Sequence, residues 1–262
     1  MYYKYLHYTD DKSFNSLIDG TLNNPSLMFV APETLNDPNE FKIDLVFDTS
    51  NKEKIRKRFF GESSNPTEYE YNKFLSSLDN PNTVWYKKNE IRYSLMQYVN
   101  IYSLSKTHKS NLLWCHYTDT GKGFCIIYKN DLIQYLWNKQ LIVSYGEVNY
   151  LENPPTIKFP DDSLDEMIKK LVYSKEKCWE YEKEIRLCIT NSNELRSFIP
   201  IPKDLIFGVI VGAKMKNEKV EQIKDITQKN NYKLFYETEL GIGYKTTVIS
   251  GKNGIPMRQF IN

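Results

Sequence analysis

The chain has 262 residues, 40% of them hydrophobic and 26% charged, and it is rich in aromatics, with 20 Tyr and 13 Phe. That mix suits a globular protein with a real core, and few stretches are polar enough to stay disordered. A net charge of +2 supplies no general field that would draw the molecule onto nucleic acid or an anionic membrane.

The opening "YYKYLHY" is aromatic and β-prone, and "DKSFNSLID" after it reads as a short helix stopped by Gly20. "SLMFVAP" reads as a buried strand. "FKIDLVFD" alternates Phe41, Ile43, Leu45 and Phe47 against Lys42, Asp44 and Asp48, the pattern of a half-buried strand. From about 51 to 99 the pattern turns polar and helical, with breaks around Gly61–Pro66 and Asn80–Asn82, and predicts an inserted helical lobe. "NIYSLSK" resumes a strand, "SNLLWCHYTD" is a short helix, and "GFCIIY" is a strand behind a glycine turn.

A helix around Asp131–Lys139 and the strand "LIVSYGEVNY" follow. Leu164, Met167, Ile168, Leu171, Val172 and Cys178 then form one apolar helical stripe. In "CWEYEKEIRLCI", period two places Tyr181, Lys183, Ile185, Leu187 and Ile189 on one face of a strand at 181–189, and Glu182, Glu184, Arg186 and Cys188 on the other. The C-terminal part, "LIFGVIVG", "NEKVEQIKDITQ" and "YKLFYETEL", reads as a βαβ crossover. The elements predict an α+β fold in a single domain over 1–262. Its core is a mixed, mostly antiparallel sheet with a helical insertion at about 51–99 and a C-terminal βαβ-like unit.

The longest apolar run, Leu205 to Ala213, is far short of the ~20 residues that cross a bilayer. The first residues lack the basic and apolar regions of a signal peptide, so a cytoplasmic protein with no membrane partner is expected. The cysteines (115, 125, 178 and 188) lack Cys-x-x-Cys spacing and have only His7, His108 and His116 for company. No metal is expected, and the thiols read as reduced, buried small hydrophobes.

Four stretches could carry chemistry. In "LNDPNEF", Asp37 and Pro38 fit the first two positions of a type I turn, and Asn36 and Asp37 lie where a loop presents polar groups. In "LWCHYTDTGKGF", His116 sits near the C-terminus of a short helix, beside Tyr117, and the glycines make a turn rather than a phosphate loop; "GIGYKT" at 241–246 likewise reads as a hairpin loop. His7 stands in an aromatic strand, where a packed imidazole with one satisfied nitrogen is the plain alternative. The Glu182, Glu184, Arg186 face admits two readings. It is a solvated, salt-bridged surface with residues ~6.6 Å apart, or the wall of a site where neighbouring aromatics desolvate a carboxylate.

The pieces "YKYLHY", "LNDPNEF", "YSLSKTHKSNLLWCHYTDTGKGFCIIY" and "WEYEKEIRL" run in the order found in the mostly bacterial domain-of-unknown-function family 2971, which the chain resembles over most of residues 1 to 190. The stretch 51–99 departs from that pattern. The layout also resembles that of ADP-ribosyltransferases, with an N-terminal polar reader, a middle strand bearing Ser or Tyr, and a later strand bearing Glu. That resemblance implies His7 as the first reader, Tyr102 and Ser103 as the second, and Glu184 as the catalytic Glu, with Glu182 completing a Glu-x-Glu.

It further implies NAD as substrate, with no metal, and an N-glycosidic cleavage through an oxocarbenium-like state that carboxylates stabilise. Tyr5, Asn36, Asp37, His116 and Tyr117 would help hold the nucleotide, and Arg186 would orient Glu184 or meet a phosphate. The acceptor of the ADP-ribose would be a protein or a nucleic acid, and such an effector would act as a toxin or in phage defence. Two other classes stay open. One is a non-catalytic interaction or sensor module using the same charged face; the other is a nucleic-acid-acting effector drawing on basic runs such as "NKEKIRKRF".

Overall fold

The computed structural model describes residues 1–37, 39–48, 50, 52–61, 67–190, 194–238, 247–250 and 255–256. Alternating apolar residues build the first elements. Strand β1 (Tyr2–Leu6) leads into helix α1 (Asp11–Ile18), capped by Asp10, whose carboxylate accepts from the Ser13 amide. Gly20 does not stop this helix, because a π-helical turn carries it on through Asn23. Strands β2 (Ser26–Val30) and β3 (Asp44–Phe47) follow. The half-buried strand starts later than its alternation suggests, since Phe41 is left-handed at φ 58°.

Helices α2 (Lys52–Phe60), α3 (Glu68–Ser77) and α4 (Pro81–Met96) occupy the insertion. The chain returns as β4 (Val99–Ser105), helix α5 (Asn111–Tyr117), β5 (Phe124–Tyr128) and helix α6 (Leu132–Asn138). The strand expected at "LIVSYGEVNY" divides into β6 (Ser144–Glu147) and β7 (Asn149–Leu151), and β8 (Thr156–Phe159) pairs in parallel with β3.

Helix α7 (Leu164–Val172) ends earlier than its stripe suggests. The next residues form β9 (Ser174–Glu176), parallel to β7, and then a 3-10 turn over Lys177–Glu182. Cys178 is therefore exposed, as is Cys115, while Cys125 and Cys188 are buried as expected.

Strand β10 spans Glu184–Thr190, so the expected strand 181–189 begins three residues late. It is flanked by β4 and β6. Strand β11 (Arg196–Pro200) covers β2, and β12 (Ile206–Val211), helix α8 (Asn217–Lys229) and β13 (Lys233–Thr238) form the βαβ crossover, with β12 and β13 parallel. Short strands β14 (Thr247–Ser250) and β15 (Ile255–Pro256) extend that edge. The "GIGYKT" loop and Pro38 lie outside the described residues.

The fold is α+β, with a main sheet ordered β11-β2-β4-β1-β5-β12-β13-β14-β15 and β10 and β6 branching from β4. One apolar layer joins Phe14, Phe29, Leu104, Phe124 and Leu187, a second joins Phe41, Ile101, Leu171 and Cys188, and a third packs Tyr3, Tyr5 and Trp114. Each fully buried large side chain of this kind contributes about 1.5–3 kcal/mol.

What positions a site is the unequal use of β4. One edge pairs with β10 along its full length, from Glu184 opposite Ser105 to Thr190 opposite Val99. The other edge is shared, with β1 meeting it through Tyr3 and Ser105 and β2 through Val30 and Ile101. Between those contacts the two strands part.

Candidate functional site

A cavity of about 360 Å³ opens in that parting. Its walls come from β1, β2 and β4, its cover from Leu17 and Thr21, and its charged end from Glu40, Lys175, Glu182, Glu184 and Arg186. The charged residues reach one place by a sharp local turn. Lys183 is left-handed at φ 46°, which bends the 3-10 turn into β10 and brings Glu182 and Glu184 onto one lysine. A lysine held there is strained, and strain of this kind gathers at functional sites.

Arg186 has no exposed surface. It donates from Nε to Glu184 Oε1 at 2.8 Å, from Nη2 to Glu184 Oε2 at 3.1 Å and to Glu40 Oε1 at 2.7 Å, and from Nη1 to the Val172 carbonyl at 2.7 Å. Lys175 Nζ stands 2.7 Å from Glu182, 3.5 Å from Glu184 and 3.7 Å from Glu40, with the Trp179 ring 4.7 Å away. Tyr117 donates to Glu182 Oε1 at 2.5 Å, Asn36 donates to the Tyr117 oxygen at 3.4 Å, and the Glu184 amide donates to Tyr150 Oη at 2.8 Å.

These contacts set the protonation states. Burial alone would push Glu184 up, yet Arg186 and Lys175, with a hydrogen bond from Ser103, hold it at about 2. Glu40 goes the other way: its burial outweighs the attraction of Arg186 and Lys175 and raises it. Burial also raises the Tyr117 phenol, helped by the neighbouring Glu182 charge. The wall therefore offers the ionised Glu184 carboxylate near a proton-holding phenol, in a pocket lined elsewhere by apolar and aromatic side chains.

Of the residues expected from the sequence, Tyr5, Asn36, Tyr102, Ser103, Tyr117, Glu182, Glu184 and Arg186 line this cavity. Tyr5 donates to the Thr107 carbonyl at 3.0 Å and meets Trp114 edge-on, and the Tyr102 hydroxyl pairs with Tyr128 at 3.1 Å. His7, His116 and Asp37 are not in the lining. His7 follows β1 and is exposed. His116 is exposed too, with its Nδ1 2.9 Å from the Tyr181 hydroxyl. Asp37 is buried and forms the expected turn: its backbone carbonyl accepts from Glu40, one carboxylate oxygen accepts from Asn39, and the other has no partner among the described residues.

Sequence reasoning missed Lys4, Glu40, Lys175 and Arg196. Lys4 carried a signal, because it breaks the apolar run of its face between Tyr2 and Leu6, both packed on the main core. The other three gave none beyond their charge.

Residues 113–187 match the model of the family described as protein of unknown function, DUF2971. The resemblance to that family is thus shown over most of α5, over β5, and over Lys175, Glu182, Glu184 and Arg186 of the charged end, but not over Glu40. No curated protein and no solved structure matches the chain, and nothing in these comparisons carries the resemblance to ADP-ribosyltransferases. Among the described residues no helix is long and apolar enough to cross a membrane.

Proposed function

We propose that the cavity binds a nicotinamide dinucleotide and cleaves its nicotinamide–ribose bond, in the manner of an ADP-ribosyltransferase or NAD glycohydrolase. The observation that carries this reading is the pairing of Glu182 and Glu184 at one end of a pocket lined elsewhere by aromatic and apolar side chains. Bond cleavage builds positive charge on the ribose, and ionised carboxylates fixed in advance stabilise it without reorganising. Glu182, held by Tyr117 and Lys175, faces the ribose edge in this scheme. Glu184 is bound bidentately by Arg186 and serves as the inner electrostatic partner.

At the other end of the cavity, Arg196, Met28 and Phe198 line an exposed mouth. Apolar surface beside a guanidinium suits a base and its phosphates. The test is release of nicotinamide from NAD by the purified protein, alone and with cell extract. Glu182→Gln is expected to lower turnover by ~100-fold or more, the scale of one lost electrostatic stabiliser. Absence of release from the unaltered protein under both conditions rejects the reading.

A second reading rests on the saturation of Glu184 and Arg186 by each other and by Glu40. In it the ionic cluster fixes the packing of β10 and the turn after Asn36, and the cavity is the recognition surface of a non-catalytic sensor. Binding of a nucleotide without its turnover favours this second reading.

A further inference from the structure

Lys4 is out of place by the ordinary rules of a strand. Period two puts it on the same side of β1 as Tyr2 and Leu6, which pack against the main core, yet its head group lies in the cavity. There it donates to the Ser103 carbonyl at 3.0 Å, in the stretch of β4 that neither β1 nor β2 pairs, and it sits 4.6 Å from the centre of the Tyr102 ring. Among the described residues no carboxylate comes within ion-pair distance of it and it has no other hydrogen-bond partner. An ammonium in an apolar wall with one neutral acceptor is costly unless it does something there.

We propose that Lys4 is the general base of the cleft. The inference rests on the nicotinamide–ribose reading. In the reaction the C1′–N bond breaks with its electron pair going to the ring nitrogen, which turns the pyridinium into neutral nicotinamide. The oxygen of a water molecule, or of an acceptor hydroxyl, bonds to C1′, and its proton passes to the neutral Lys4 amine and then to solvent. No oxidant or further reactant is needed.

The surrounding charges favour this assignment. Glu184 is held ionised at about 2 and is far too weak a base near neutrality. Glu182 is occupied by Tyr117 and Lys175, and Arg186 and Lys175 are in turn committed to the carboxylates. Burial brings Lys4 down to about 8, with Glu184, Glu182 and then Cys125 pulling the other way. Glu40, from the turn after Asn36, and Arg196, from β11, complete the charged lining, with the phenols of Tyr3, Tyr5, Tyr102 and Tyr117 held protonated by burial.

Lys4→Arg separates a base from a fixed charge, because a guanidinium keeps the cation and does not deprotonate. Lys4→Arg is expected to lower nicotinamide release by ~100-fold or more with the melting temperature nearly unchanged, and the unaltered protein should lose activity below about pH 8. Competitive labelling of amines with acetic anhydride gives a readout free of turnover. Lys4 should label with a midpoint near pH 8, against about 10.4 for surface lysines. If the unaltered protein cleaves NAD and Lys4→Arg is as active, or if Lys4 labels like a surface lysine, the inference is overturned while the nicotinamide–ribose reading stands. If the unaltered protein releases no nicotinamide, the reading falls and takes the base role with it. A Lys4→Arg chain that fails to fold is replaced by Lys4→Met, for which external alkylamines should restore part of the lost rate if the amine is the base and none if it is not.

Discussion

Glu184 and Arg186, two residues apart on one face of β10, grip each other through two hydrogen bonds of 2.8 and 3.1 Å, with Arg186 sealed from solvent. From the sequence alone Glu184→Gln should leave folding nearly intact, since the amide keeps the carboxylate's shape. The buried pair alters that expectation. Glutamine cannot balance the guanidinium, and a hydrogen bond to a charged group is worth about 1.5–3 kcal/mol. Urea unfolding should show Glu184→Gln less stable by about that amount. A midpoint equal to that of the unaltered protein would mean that Glu40 alone satisfies Arg186.

Acid should release the same cluster. Glu184 sits at about 2 when folded, against an ordinary 4.5, so its stabilisation is complete above 4.5 and is lost as the pH falls toward 2. The loss is on the order of 3 kcal/mol. Glu40 has the opposite sign: its raised carboxyl takes up a proton more readily in the folded state, and that gains stability on acidification. Denaturant melts between pH 6 and 3 should show falling stability, and the fall should steepen in Glu40→Gln once any constant offset is removed. Flat stability over that range in Glu40→Gln, where the opposing carboxyl is gone, would show that the Glu184 carboxyl is not depressed.

Tyr117→Phe removes only the oxygen that binds Glu182 at 2.5 Å. Stability should drop by about 1–3 kcal/mol, because a buried carboxylate oxygen loses its donor. Binding of ADP-ribose, followed by calorimetry, should weaken with it. A variant that binds and melts like the unaltered protein would place Glu182 outside the working site.

Arg196 stands exposed at the cavity mouth with no ion-pair partner among the described residues. Arg196→Ala should therefore leave melting unchanged while weakening nucleotide affinity by roughly tenfold, about 1.4 kcal/mol, with the difference shrinking at high salt. Equal affinities at low salt would remove the mouth from the binding surface.

Gly123 offers a mechanical test. A Cβ there would fall 2.1 Å from the Leu6 carbonyl, at the point where β1 meets β5. Gly123→Ala should cost about 1–3 kcal/mol, as overpacking does, and should shift the strand that carries Lys4. Circular dichroism melts together with Lys4 labelling would detect both effects.

The parts of the fold legible in the sequence were those where burial and period agreed. The fully buried run Phe124–Tyr128 and the nearly fully buried run Ile206–Val211 are strands for the reason the pattern gives. At 178–183 the same reasoning failed, because alternating Tyr181, Glu182, Lys183 and Glu184 looks like a strand and side-chain pattern is blind to a left-handed Lys183. Lys175 was hidden by good helix formers around it, which extended the stripe of α7 past Val172. Glu40 was hidden by distance, since its partner Arg186 lies 146 residues away. Of the three carboxylates that the sequence did bring forward, Glu182 and Glu184 reached the cavity, while Asp37 and the histidines at 7 and 116 did not.

The shared edge of β4 also fixes when the site can come into being. Lys4 and Glu40 lie before the connection from Ser105 to Asn111, and Tyr117, Lys175, Glu182, Glu184 and Arg186 lie after it. A nascent chain therefore carries half a cavity and an uncompensated Glu40 until β10 has been synthesised and has zipped onto the far edge of β4. The segment between residues 105 and 111 thus divides the chain into two parts, each holding only some of the cavity's charged residues.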